Sequence, residues 1–358
     1  MALCAALLLA MVTGGCQNPL SDAGSPPATV ISDPDIAISD DDTTIVSQSS
    51  QPAQIRFGAP RGAAALALTQ FFLGDTGEGT FNAIPFSLEL AGAPDQLTAK
   101  LATGELDAAL LPVNLASVLY NKTNGGIQLA AITGSGLFYV VANPWQYIIS
   151  SQSDTKDPRT ITSFSQLDGQ QVISFGLGAT PQYVIEYLEQ YYGVNLDITF
   201  TAEAPEAVAY ISGEHIEFGI LPEPFVTTLV TQNPQIEVVM SLADVWEQAT
   251  GSPLVTTALV FRTDFITAYP QTTQYLIDAV GSSITWVNEH PADAAVVIAD
   301  QMILPSVEIA DAAIPRTNLI WLTGAAAQTA TVEFLTVLAN ANPAAIGGHL
   351  PDDGFFVE

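Results

Sequence analysis

Glu223 stands between Pro222 and Pro224 and is the sharpest candidate for polar chemistry in the chain. The prolines restrict the backbone, so the carboxylate sits at a defined place where a strand over 218–221 gives way to a helix from 224. An acid there either accepts a hydrogen bond from a ligand amine or ring N–H, or complements the positive end of the helix. Facing a ligand, it would repel a simple anion such as nitrate. Pro60, Arg61 and Gly62 lie between a first strand and a helix over 63–72, where free backbone N–H groups and the helix dipole favour an anion or polar group. Arg61 is one of only five arginines, and a solvated surface arginine is the competing reading. Asn114 follows Pro112 by two residues and can cap a helix over 114–120 or touch a ligand. Gly178, Ala179 and Thr180 precede a helix over 182–192, so the Thr180 hydroxyl can cap that helix or reach a ligand across a cleft. Ser135 and Gly136, within Gly134-Ser135-Gly136, join flexible backbone to a hydroxyl, which suits a hinge and a ligand edge or a plain turn.

Other chemistry is poorly represented. His215, His290 and His349 are far apart and show no metal-ligand spacing, so no metal and no cofactor is expected. No P-loop, G-x-S-x-G or H-E-x-x-H occurs, and Gly176-x-Gly178 is too short for a dinucleotide fingerprint. Catalytic residues are therefore expected to be none. Phe138, Tyr139, Trp145 and Trp246 could stack on a planar ligand, with core packing as the default.

The positions above need elements to carry them. From 54 onward the chain repeats strand, Gly/Pro loop and helix: strands at 55–58, 86–90, 108–111 and 128–133 alternate with helices at 63–72, 94–103 and 114–120. After a polar stretch over 150–165 the theme restarts, with strands at 171–175, 198–200, 218–221, 237–240 and 254–261 and helices at 182–192, 205–211 and 224–231. Helices at 263–269, 271–290, 292–301 and 324–339 follow and should pack back on the first unit. Such alternation implies an α/β fold with helix-covered, mainly parallel sheets, whose ligands sit outside the carboxyl ends of the strands.

Three stretches resemble the periplasmic substrate-binding proteins of ABC importers, in the nitrate, sulfonate, taurine and thiamine-precursor branch. The first runs from Leu101-Ala102-Thr103-Gly104-Glu105-Leu106-Asp107 through Ala108-Ala109-Leu110-Leu111-Pro112 to Asn114-Leu115-Ala116-Ser117. The second is Gly219-Ile220-Leu221-Pro222-Glu223-Pro224-Phe225-Val226, with Gly213 before it. The third is Phe261-Arg262-Thr263-Asp264-Phe265 with Tyr269-Pro270. The resemblance covers about residue 55 to the C-terminus. It implies two lobes joined by hinge strands near 137–143 and 255–262, closing on a small polar solute or oxyanion and delivering it to a membrane permease. Thiamine-precursor members carry acidic groups that bind an amino-pyrimidine, which Glu223 resembles in placement. Enzymes of pyrimidine or menaquinone biosynthesis share the two-lobe architecture and are the alternative, as is a solute sensor that does not transport.

Residues 2–12 are apolar and uncharged, followed by Thr13, Gly14, Gly15 and Cys16. The run is too short for a transmembrane helix and reads as an export signal. It resembles the lipobox of bacterial lipoproteins, which implies Cys16 as a lipidated N-terminus in the cell envelope; an apolar N-terminus with an incidental Cys is the other reading. Cys4 is the only other cysteine, so a mature chain starting at Cys16 has no intramolecular disulfide. Residues 17–51 carry six Asp and no Lys or Arg and read as a disordered acidic tether. The expected organisation is a leader over 1–16, the tether, a discontinuous first lobe over 52–140 and 260–358, and a second lobe over 141–259. With 8 Lys+Arg against 37 Asp+Glu, the 358-residue chain has a formal charge of −29, which all but excludes nucleic acid as a partner. The 48% apolar content suffices for two cores. A monomer is expected.

Overall fold

A computed structural model describes residues 51–73, 78–81, 84–145, 157–213 and 216–357. The leader, Cys16, residues 17–50 of the tether, and His215 lie outside the described residues. Strands β1 (Ile55–Pro60), β2 (Glu78–Phe81), β3 (Ile84–Ala91), β4 (Ala108–Pro112), β5 (Ile127–Ser135), β11 (Val255–Arg262) and β12 (Leu319–Thr323) form a seven-stranded sheet, ordered β12-β5-β11-β4-β1-β3-β2. Strands β6 (Phe138–Ala142), β7 (Gln171–Phe175), β8 (Asp197–Thr201), β9 (Phe218–Pro222) and β10 (Glu237–Ser241) form a five-stranded sheet, ordered β10-β6-β9-β7-β8. These are the two lobes of a mixed α/β fold.

Helices α1 (Pro94–Thr103), α2 (Val113–Thr123) and α11 (Gly324–Ala341) cover one face of the larger sheet. The other face carries the 3-10 helix Ala63–Phe72 together with α8 (Pro270–Glu289), α9 (Pro291–Asp300) and α10 (Val307–Ala313). In the smaller lobe α3 (Thr180–Tyr192) and α6 (Leu242–Thr250) pack on one side, and α4 (Ala204–Ser212) and α5 (Phe225–Gln232) on the other. A short α7 (Thr263–Ala268) follows β11.

Local signals account for most of these elements. In α1, Pro94 occupies the first turn, Asp95 and Lys100 complement the dipole, and Gly104 ends the helix at φ +78°. The Gly104-x-x-Asp107 segment is structural. Asp107 is buried and receives the backbone N–H and guanidinium of Arg56, while Gly104 O accepts Arg56 Nη1 at 2.7 Å. This pair clamps the N-terminal edge of β1 to that of β4, away from the edge where ligand loops were expected.

Three expectations shift. The sheets are mixed: β1, β3 and β4 run parallel, as do β7, β8 and β9, whereas β11 enters antiparallel between β4 and β5 and β6 enters antiparallel between β9 and β10. A strand returning from the other lobe arrives at the opposite edge, and this reverses its direction. For the same reason neither 137–143 nor 255–262 crosses between lobes as a strand. β6 lies wholly in the small sheet and β11 wholly in the large one, so the connections between the two sheets fall at 136–137 and 251–254. Finally β2, β12, α6 and α10 were unread, and 63–72 is a 3-10 helix, buried over 65–69 and tied to α8 by Gln70 N donating to Ser283 Oγ at 3.1 Å.

Candidate functional site

The carboxyl ends of β1, β4 and β5 and the starts of β11 and β12 lie along one edge of the large sheet, because β11 and β12 are antiparallel to β5. The ends of β7, β8, β9 and β10 and the start of β6 form the matching edge of the small sheet. β5 ends at Ser135 and β6 begins at Phe138, so these edges adjoin. The two connections are bound to each other, Gly136 N donating to Leu254 O at 2.7 Å.

The candidate ligand residues Pro60, Arg61, Gly62, Asn114, Ser135, Gly136, Gly178, Ala179, Thr180 and Glu223 lie at or beside these edges, whereas Trp145 follows β6 at the opposite edge of the small sheet, beside Gln171 and Phe218. Asn114 and Thr180 meet across the seam: Thr180 Oγ1 donates to Asn114 Oδ1 at 3.3 Å. Neither acts as the helix cap expected as its alternative role. Pro112 precedes α2 as its cap residue and Ala179 precedes α3, neither with a side-chain capping bond, which leaves Asn114 and Thr180 inside the first turns and aimed at each other. Asn114 Nδ2 also donates to Ala345 O at 3.4 Å. Gly178, at φ +77°, donates its N–H to Gln182 Oε1 at 2.6 Å and accepts from Tyr183 Oη. Ala179 N closes the loop on Gly176 O at 3.0 Å.

Ser135 and Gly136 mark the crossover. Ser135 N donates to Asn318 O at 3.0 Å, and Gly136 O accepts Asn318 Nδ2 at 2.8 Å. Gly136 holds φ +36°, and a Cβ there would lie 2.2 Å from Ala243 Cβ of α6, so only glycine lets helix and connection approach this closely. Beside it the register between β5 and β11 slips at Thr256, whose buried hydroxyl has no partner among the described residues. Pro60, Arg61 and Gly62 form the turn after β1. There Arg61 is exposed, its N–H bonds Ala91 O at 2.8 Å and its Nη1 bonds Met302 O at 3.1 Å, so it is tied to its own lobe.

Glu223 is 2% exposed. Its Oε1 accepts Thr227 Oγ1 at 2.9 Å and its Oε2 accepts Thr227 N at 3.2 Å, one turn into α5. Burial pushes the carboxyl up to about 7, against the two Thr227 bonds and the charge of Arg316, which pull it down. Tyr139 is pushed up to about 12, first by burial and then by the Glu223 charge. The residues that sequence reading missed are Arg316, Asn318 and Thr227. Arg316 shares with Arg61 the one available signal, rarity, but it ends the short 3-10 turn Ile314–Arg316 before β12, a stretch with no periodic pattern to place it. Trp246 is core, packed on Phe334 of α11 with ring centroids 6.0 Å apart. Among the described residues no three His, Cys, Asp or Glu are grouped to hold a metal, and no helix is long and apolar enough to cross a membrane.

Two mixed sheets with polar loops along adjoining carboxyl edges define the two-lobe fold of periplasmic binding proteins. A structure described as an ABC transporter from Parabacteroides distasonis superposes with a TM-score of 0.71 at 22% identity, covering 86% of this chain and 99% of that one. The aliphatic sulphonate binding protein SsuA of Escherichia coli gives 0.63 at 13% identity, covering 84% and 93%. The alkanesulfonate-binding protein SsuA of Xanthomonas axonopodis pv. citri, bound to MOPS, gives 0.59 at 13%, covering 84% and 96%. A family model described as menaquinone biosynthesis matches residues 186–313. No curated protein matches the chain in sequence.

Proposed function

We propose that this protein is the solute-binding component of an ABC-type importer, holding a small polar organic solute or oxyanion between its lobes and passing it to a membrane permease. The observation that carries this reading is the meeting of Asn114 and Thr180 across the seam, from loops at the carboxyl ends of β4 and β7. Their neighbours Ser135, Gly136, Gly178 and Ala179, with Pro60, Arg61 and Gly62 further along the same edge, supply backbone N–H groups and hydroxyls suited to a polar ligand. On this reading the lobes, about 52–136 with 255–358 and 137–254, close on the ligand, Cys16 anchors the chain outside the cytoplasm by a lipid, and no cofactor takes part.

A thermal-shift screen of sulfonates, nitrate, bicarbonate, pyrimidines and amines on residues 52–358 tests it. A ligand that binds only the folded state raises the melting temperature. Asn114→Ala and Thr180→Ala should each abolish most of the shift produced by the compound found. If no compound shifts the melt, or if both variants respond as the parent does, the reading fails. The match over residues 186–313 favours a second reading, an enzyme with this architecture. Mass spectrometry of the screened compounds after long incubation separates the two: a binding protein returns its ligand unchanged, an enzyme does not.

A further inference from the structure

Arg316 belongs to the large lobe, ending the 3-10 turn Ile314–Arg316 that follows α10 and leads to β12. Its guanidinium reaches over the seam. Nη1 donates to Thr227 Oγ1 on α5 of the small lobe at 3.3 Å, and to Ala312 O of its own lobe at 3.5 Å. Thr227 is fully buried, and its hydroxyl proton goes to Glu223 Oε1. A hydroxyl has one proton and two lone pairs, so donating to Glu223 turns its acceptor side to Arg316. The series runs from cation to hydroxyl to carboxylate with every donor matched to an acceptor, and each link polarises the next. Two more bonds cross here: Tyr139 Oη donates to Arg316 O at 2.8 Å and accepts from Asn318 Nδ2 at 3.2 Å. They hold the Arg316 backbone at the seam and set the starting point of its side chain.

We propose that Arg316 is a closure residue: its side chain holds the small lobe against the large one, with Thr227 as the catch and Glu223 as the group that orients the catch. The inference rests on the reading of the protein as a two-lobe solute binder, and it concerns how firmly the cleft shuts rather than what it holds. In it Glu223 is a positioning residue, acting through Thr227.

The test measures lobe separation in ligand-free, full-length protein by pulsed electron spin resonance. Labels go on Leu177→Cys and Met302→Cys, one on each lobe and 70% and 78% exposed, with Cys4 and Cys16 replaced by Ser. The parent should show chiefly the distance of the closed arrangement. Arg316→Gln should lower the closed-to-open ratio about 10-fold, the scale of one hydrogen bond to a charged group. Thr227→Val should do the same without touching Arg316. The double variant should go no further than Thr227→Val alone, because both changes remove the same bond across the seam, that of Arg316 to Thr227, and Arg316→Lys should recover part of the ratio. A chiefly open parent, or a ratio unchanged in Arg316→Gln and Thr227→Val, would overturn the proposal. Failure of the solute-binding reading would register separately, as a screen in which nothing shifts the melt while these distances respond as stated.

Discussion

Glu223 illustrates how burial reverses the sign of an expectation. As a simple partner of the helix dipole it would stabilise the fold when ionised. At 2% exposure its carboxyl is instead pushed up to about 7, chiefly by desolvation, from an ordinary value of 4.5. The native state therefore binds this proton more tightly than the unfolded chain, and stability falls as pH rises from about 4.5 to about 7, then levels off. Glu223→Gln should be close to neutral at pH 4 and stabilising at pH 8, by up to about 3 kcal/mol. Urea unfolding at both values checks this, and a variant less stable than the parent at pH 8 would contradict it. Asp107 instead has a basic partner. Asp107→Asn leaves Arg56 without its carboxylate at the far edge of the sheet and should cost about 2 kcal/mol, less than a fully buried pair because Arg56 is about a third exposed. Its urea midpoint should drop with an unchanged m-value.

The elements at the seam are held by close approach as much as by hydrogen bonds. Gly136 and Ala243 bring the first connection against α6 with no room for a second Cβ. Gly136→Ala places a methyl group 2.2 Å from Ala243 Cβ and demands a left-handed backbone of alanine. A cost of about 1 to 3 kcal/mol follows, and Ala243→Gly in the same chain should return part of it. Equal stability of the single variant and the parent would mean that α6 shifts freely. On the other flank α11 packs on the large sheet and also against α3 and α6 of the small lobe, through pairs such as Phe334 with Trp246. Motion between lobes has to preserve that apolar contact, which favours rotation about the crossovers over translation.

For the whole molecule, closure on a solute should be visible as compaction. Small-angle scattering of residues 52–358 carrying Arg316→Gln, in which the lobes part more readily without ligand, should give a smaller radius of gyration with the compound found by thermal shift than without it, and an unchanged value would argue against hinge closure. The proposed lipid attachment at Cys16 is a separate matter and has its own test. Cys16→Ser should release the full chain from membranes into the soluble fraction, whereas a chain that fractionates identically has some other anchor or none.

The alternation of strands and helices was legible because its signals are local: periods of 2 and 3.6, Gly104 closing α1, Pro181 opening α3. The placing of candidate residues at strand ends was legible too, since an α/β chain leaves few other sites for a ligand loop. Sheet membership was not, because apolar strands such as 138–142 and 255–262 read alike whichever sheet they join, and pairing between distant segments decides it. The partners of Thr180 and Arg316 lie 66 and 89 residues away. No periodic pattern encodes such distances; they follow from how two sheets pack edge to edge. The character of Glu223 was hidden for the same reason, since a carboxyl takes its proton affinity from the water and charges around it, and those are properties of the folded molecule.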